Sequence, residues 1–297
     1  MYLEIAGIRI NVCSQIDKSL VIPEKAYKAF AGDIEKPFKN EADVHLSLQS
    51  EPFPDYTRAK KVFDSGQSWS LYHDKEHYYI VLRHPEADKP YWLARINNDF
   101  SDGVVYLSKQ MTSLAGEQKS MHNPVRYPLD QIILMHLLAR QSGGIFHAAG
   151  INLDGKGYIF PGKSRAGKST ITRQFAQRKD FGLISDDRIV VRKMGSEFQA
   201  FGTPWPGEEG IAVNIQVPLC GIFFLNQGSA NSIVKIDQRK AFEKLMPILS
   251  IPWYERETVD RLLEFCDVLT SSVQSYDIHF TPDTKITELF DKVVHAA

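Results

Sequence analysis

Cysteine is scarce in this chain. The three cysteines among 297 residues, Cys13, Cys220 and Cys266, lie far apart and in no Cys-x-x-Cys spacing. That argues against a disulfide scaffold or a cysteine metal knuckle, suits a reducing cytoplasm, and leaves the scattered histidines without zinc-site partners. Long apolar runs are also missing. No stretch approaches the roughly 20 residues of a membrane span, and the opening MYLEIAGIRINVCSQ lacks the basic-then-apolar layout of a signal peptide. Nor does one sign of charge dominate: 35 Lys and Arg stand against 36 Asp and Glu, a formal net charge of -1. Nothing global therefore favours nucleic acid or an anionic membrane. The expectation is a soluble, cytoplasmic protein with neither as a partner. With 43% hydrophobic residues, the chain can close one large core or two modest ones.

The first 110 or so residues read as short strands. YLEIAGIRINV, ADVHLSLQ, QSWSLYHD, HYYIVLRH, YWLARIN and GVVYLS alternate β-branched or aromatic residues with polar ones, which predicts an antiparallel sheet. Turn signals at 31–33, 51–55, 84–90 and 97–103 separate these runs, and no catalytic motif stands among them. The region reads as a scaffold or recognition module. Composition changes between Ser113 and Pro128, which sets a predicted boundary between a module at 1–120 and a domain at 125–297. A helix is predicted over 128–141, then a hairpin joining IFHAAGINL to GYIFPG through the Asp-Gly turn DGKG. Further on, 219–225 and the run IVKI read as strands and 238–249 and 254–269 as helices. A last strand in TSSVQSYDIHF precedes an amphipathic tail at 284–295.

The sharpest motif is Gly162-Lys163-Ser164-Arg165-Ala166-Gly167-Lys168-Ser169, a full match to GxxxxGK[ST]. A short apolar strand leads into it, and STITRQFAQRK after it is helix-compatible. Glycines let consecutive backbone N–H groups curl around a polyphosphate, and the following helix N-terminus adds its positive end. Lys168 then reaches the β and γ phosphates, and Ser169 offers magnesium a compact hydroxyl.

Eighteen residues after Lys168, FGLISDDRIVV ends an apolar segment in Asp186-Asp187. Two carboxylates at a strand end suit a pair facing magnesium and an incoming nucleophile. Adjacent strand residues point to opposite faces, so both can contribute only where the strand ends or bends, and the alternative is a turn touching no metal. His147 precedes the hairpin that feeds the loop and so could stand at the mouth of the same cleft. In TPWPGEEG, Trp205 could stack on a base and Glu208 or Glu209 could hold a cationic or hydroxyl group, or each could cap the loop against the core.

In their order, GGIFHAAG, GYIFPGKSRAGKST and LISDDRIVV resemble the histidine, phosphate loop and tandem aspartates of the HPr kinase/phosphorylase superfamily, whose nucleotide fold is similar to that of ATP-dependent phosphoenolpyruvate carboxykinase. The resemblance covers residues 125–297. It implies an α/β phosphate-loop kinase domain with a mixed sheet, preceded by a smaller, mainly antiparallel β domain. By the same resemblance, Gly162, Lys163, Ser164, Arg165, Ala166, Gly167, Lys168, Ser169 and Thr170 bind ATP, and Ser169 and Asp187 hold magnesium. Asp186, Asp187, His147 and Lys168 are the implied catalytic set, with Asp186 and His147 orienting or deprotonating the acceptor.

The N-terminal region does not look like the regulatory domain of the carbon-control enzyme, and that enzyme's segment for phosphorolysis is not found. The carboxylate and transition-metal apparatus of the carboxykinases cannot be placed either. The chain is more similar to diverse HPr-kinase-like proteins, among them kinases found beside peptide-modification genes. The implied function is magnesium-dependent transfer of the ATP γ-phosphoryl group to a hydroxyl of a protein, peptide or small molecule, a serine of a small protein or peptide above all. The alternative is a nucleotide-binding switch or scaffold with little or no kinase activity. A homo-oligomer stays open, and the N-terminal module could bind substrate, complete the cleft or form a subunit interface.

Overall fold

Apolar–polar alternation builds the first part of the chain as a sheet. In the computed structural model, which describes all residues except 17–19, 33–41, 84–88, 114–119, 282–284 and 297, the chain divides into two units, Met1–Leu137 and Leu138–Ala297. The first holds β1 (Tyr2–Ile5), β2 (Ile8–Ser14), β3 (Leu20–Ile22), β4 (Val44–Ser50), β5 (Lys60–Asp64), β6 (Trp69–His73), β7 (His77–Leu82), β8 (Trp92–Asn97), β9 (Asp102–Leu107) and β10 (Ser120–His122). With them come α1 (Lys109–Ser113) and the start of α2 (Leu129–Arg140). Ile8, Ile10 and Val12 of β2, and Val44, Leu46 and Leu48 of β4, all point into the core, as a period of two requires.

Eight strands pair in the order β1-β2-β4-β9-β8-β7-β6-β5. The β2–β4 and β4–β9 pairs are parallel and the rest antiparallel, so the predicted antiparallel sheet is mixed. The reason lies in the connections. Long segments join β2 to β4 and β4 to β9, whereas short turns join the antiparallel pairs β1–β2, β5–β6, β6–β7 and β8–β9. YLEIAGIRINV is two strands, broken at Ala6 and Gly7 with φ of 54° and 75°. The predicted turn at 97–103 is the β8–β9 connection, and 51–55 lies between β4 and β5. Of those at 31–33 and 84–90, residues 33 and 84–88 lie outside the described residues, as does part of the breaker segment after Ser113.

The division between units falls inside α2, later than the predicted 120–125. Tyr27 Oη donates to Asp130 at 2.6 Å, and the buried His136 ring stacks on Phe100 with centroids 4.0 Å apart. These contacts bind the early turns of α2 to the first unit.

The second unit continues with β11 (Gly143–Leu153), β12 (Lys156–Pro161), α3 (Lys168–Ala176), β13 (Phe181–Ser185), β14 (Arg188–Met194), β15 (Glu197–Phe201), β16 (Gln216–Gln227) and β17 (Ser232–Ile236). It ends with α4 (Gln238–Leu245), α5 (Arg256–Ser272), β18 (Ser275–Phe280) and α6 (Lys285–Ala296). The β11–β12 turn is the predicted one: Asp154 and Gly155 have φ of 51° and 80°, the left-handed pair that matches strand twist in a two-residue hairpin. The long strands β11 and β16 each serve two sets of partners. β11 pairs β14 through its first half and β12 and β13 through its second, while β16 pairs β15 and then β12 and β18 in parallel. One core packs Phe146, Leu262, Phe265 and Leu269 against the sheet, and another gathers Phe160, Phe175, Phe181, Phe223 and Phe290 under α3 and α6. Each buried aromatic contributes roughly 1.5–3 kcal/mol. The parallel strands β12, β16 and β18 thus run side by side toward the loop that opens α3. No helix among the described residues is long and apolar enough to cross a membrane.

Candidate functional site

The loop between β12 and α3 turns on two residues of positive φ, Arg165 at 67° and Gly167 at 103°. Gly167 has a second constraint, because a Cβ there would stand 2.5 Å from Phe280 Cζ. Ala166 N–H donates to the Lys163 carbonyl at 3.0 Å, and Gln227 at the end of β16 donates to the Arg165 carbonyl at 3.1 Å. The first turn of α3 then presents backbone N–H groups with no partner inside the helix. Lys168 is buried, its ammonium donating to the Gly162 carbonyl at 3.0 Å and weakly to that of Lys163 at 3.4 Å. Burial lowers its pKa, which nearby Asp187 partly counteracts.

Across from this loop, the chain bends at Asp186 and Asp187 between β13 and β14. The bend meets the condition set by strand geometry, and both carboxylates reach one cavity. Register does the rest: β11 pairs β14 with His147 opposite Arg188, so His147 lies beside Asp187. Its Nε2 is 2.8 Å from Asp187 Oδ1, while Arg188 Nε lies 3.3 Å from Asp187 Oδ2. Burial works to raise the Asp187 pKa, but the hydrogen bond and charge of His147, with Arg188 and Lys168, outweigh it and hold the carboxyl below its ordinary value. Asp187 is ionised at neutral pH.

Asp186 lines the same cavity and has other partners. It is not paired with His147; its Oδ1 accepts from Gly207 N–H at 2.9 Å and its Oδ2 from Glu209 N–H at 2.7 Å. The buried carboxylate therefore pins the loop around TPWPGEEG. Arg173 of α3 grips the same loop through Glu209 at 2.7 Å, and Thr203 donates to the Arg188 carbonyl at 2.7 Å. Trp205 is buried at 7% exposure, so its ring caps the loop against the core and does not wait for a base.

These pieces enclose a cavity of about 440 Å³ lined by His147, Ser164, Arg165, Gly167, Lys168, Ser169, Thr170, Asp186, Asp187, Gly207, Glu208 and Gln227. Of the predicted site residues, Gly162, Lys163 and Ala166 do not line it. Gly162 and Lys163 supply the carbonyls that hold Lys168, and Ala166 packs toward the phenylalanine core. Sequence reasoning missed Arg188 and Gln227, whose roles depend on a register and on a strand end that no motif marks.

The residues fit magnesium. Ser169 and the ionised Asp187 offer hard oxygens, and among the described residues no group of three or more His, Cys, Asp or Glu could hold a metal. An ion here would take the remaining ligands from phosphate and water, as magnesium does in nucleotide sites.

Three comparisons bear on this site. The family model described as SynChlorMet cassette protein ScmC matches residues 125–256, less than half of the chain but including every residue of the cavity. No curated protein matches. The HPr(Ser) kinase/phosphatase from Coxiella burnetii aligns at 13% identity over 51% of this chain and 94% of that one, with a TM-score of 0.29. The chain is a mixed α/β protein with two multi-stranded sheets.

Proposed function

We propose that the cavity transfers the γ-phosphoryl group of ATP to a hydroxyl, with magnesium as the accompanying ion. The observation that carries this reading is the meeting, in one cavity, of Lys168 and the first turn of α3 with His147, Asp186 and Asp187. The motif order shared with the HPr kinase/phosphorylase superfamily supports the same reaction class.

Backbone N–H groups of the loop and Lys168 would bind the phosphates and stabilise the charge that spreads over the transferring group. Magnesium, when bound, neutralises phosphate charge, and Ser169 and Asp187 would hold it. The acceptor oxygen bonds to the γ phosphorus as the bond from that phosphorus to the bridging oxygen breaks, and ADP leaves with the electron pair. The acceptor proton passes to His147. Its Nε2 donates to Asp187, which leaves Nδ1 as the basic atom, and the ionised Asp187 stabilises the imidazolium as it forms. Asp186 keeps the facing loop closed on the cavity.

Incubation of the pure protein with γ-labelled ATP, magnesium and serine peptides or cell extract, followed by mass identification of the labelled acceptor, tests the reading. Lys168→Ala should weaken ATP binding and His147→Ala should slow transfer by about 100-fold, both with unchanged melting curves. Undiminished transfer in both would overturn it. Nucleotide-dependent partner binding without a phosphorylated product would mark a switch instead.

A further inference from the structure

The cavity is polarised, with Arg165 and Lys168 on the glycine loop and Asp186, Asp187 and Glu208 across from it. Among the acids around it, Asp186 is occupied by two backbone N–H groups, Asp187 by His147 and Arg188, and Glu209 by Arg173. Glu208 differs. It is exposed, lines the cavity, and has no hydrogen bond or ion pair among the described residues, although the Arg173 guanidinium held by Glu209 also feels its charge. Its neighbours Gly207 and Glu209 are both fastened to Asp186, so the backbone that carries Glu208 is fixed at the cavity.

We propose that Glu208 recognises a positive charge on the acceptor, and that this acceptor is a serine or threonine in a polypeptide segment with Lys or Arg beside it. The inference rests on the phosphotransfer reading. Polyphosphate occupies the cationic wall, and in-line attack brings the acceptor hydroxyl from the other side. An acceptor arriving there meets the anionic wall. An acidic segment would be repelled by Glu208, a neutral one would leave it without a direct ion pair, and a basic one would pair with it. Because Asp186, Asp187 and Glu209 already have partners, the discrimination falls to Glu208.

The test reads binding, not turnover. Fluorescence anisotropy would follow three labelled peptides, each with one serine flanked by Lys, Ala or Glu, on the full chain loaded with magnesium and ADP. The Lys-flanked peptide should bind about fivefold tighter than the Ala-flanked one, and the Glu-flanked one should bind most weakly. Glu208→Gln should bring all three within about twofold, and Glu208→Lys should invert the order, with magnesium–ADP affinity unchanged in both. Absence of a preference in the parent chain, or a preference that survives Glu208→Lys, would overturn the proposal. So would a fall in magnesium–ADP affinity matching the loss of peptide, since Glu208 would then serve the nucleotide. Failure of the parent chain to bind magnesium–ADP would instead sink the phosphotransfer reading itself.

Discussion

Polar side chains in the N-terminal unit mostly close their own turns, whereas around the cavity they reach across the sequence. Asp74 accepts from Glu76 and His77 N–H and from Tyr79 Oη, and Asn97 holds Ser101 and Asp102, all partners within five residues. In the second unit, Asp186 reaches Gly207 21 residues away, Arg173 reaches Glu209 at 36, His147 reaches Asp187 at 40, and Gln227 reaches Arg165 at 62. Local bonds of the first kind satisfy a turn at little ordering cost. Convergent bonds of the second kind hold groups from several elements in one geometry, which is what a reacting site requires. Long-range bonds in the first unit, such as Tyr27 to Asp130, fasten α2 to the 3-10 turn Lys25–Phe30.

The largest effect expected is catalytic. Asp187→Asn should lower phosphoryl transfer by about 10³-fold, while Asp74→Asn leaves it within about twofold and costs only ~1 kcal/mol of stability. Labelled-ATP assays and urea melts on the two variants read both numbers. An equal loss of transfer in Asp74→Asn would erase the contrast between the units.

Phe175 touches Phe160, Phe181 and Phe290 on the buried face of the helix that carries Lys168. Replacing it by Ala should cost about 3–5 kcal/mol through the cavity it leaves. A urea midpoint close to that of the parent would show that the phenylalanine cluster does not support the site.

Asp277 on β18 pairs with Lys240 at 2.7 Å and Lys244 at 2.6 Å, both from α4. Burial raises its pKa, but the two lysines outweigh burial and the net shift is downward. A depressed carboxyl stabilises the fold above its unfolded value, near about 3.9, and loses that contribution as pH falls through the lower folded value. The parent should therefore exceed Asp277→Asn by ~2 kcal/mol at pH 6, a gap that narrows below about pH 4. A gap constant with pH would assign the effect to packing.

The smallest effect concerns the thiols. Cys13 and Cys220 are exposed, and burial pushes Cys266 up to about 12. Ellman's reagent should modify Cys13 and Cys220 in the native protein and Cys266 only after denaturation. Reaction of all three in the native state would show that the core around α5 opens readily.

Much of the second unit was legible because its signals are local. Asp154-Gly155 supplies the two left-handed residues of its hairpin, and the glycine loop announces itself between a strand and a helix. In the first unit, YLEIAGIRINV carried its break in a single Ala-Gly pair, and the parallel placement of β2, β4 and β9 left no periodic trace. The pairing of His147 with Asp187 was equally hidden. It follows from the β11–β14 register, and a slip of one residue would turn every side chain to the opposite face.

By itself, then, the sequence determined which residue types would be present: a glycine loop with its lysine and serine, a tandem aspartate, and a histidine upstream. Tertiary structure alone decided their partners. It gave Asp187 the histidine, gave Asp186 the loop that carries Glu208, and buried Trp205 in the core. The reason is physical. Hydrogen bonds within a few residues follow from backbone geometry that a short motif can encode, whereas bonds spanning 20 to 60 residues depend on strand register and packing set by the whole core.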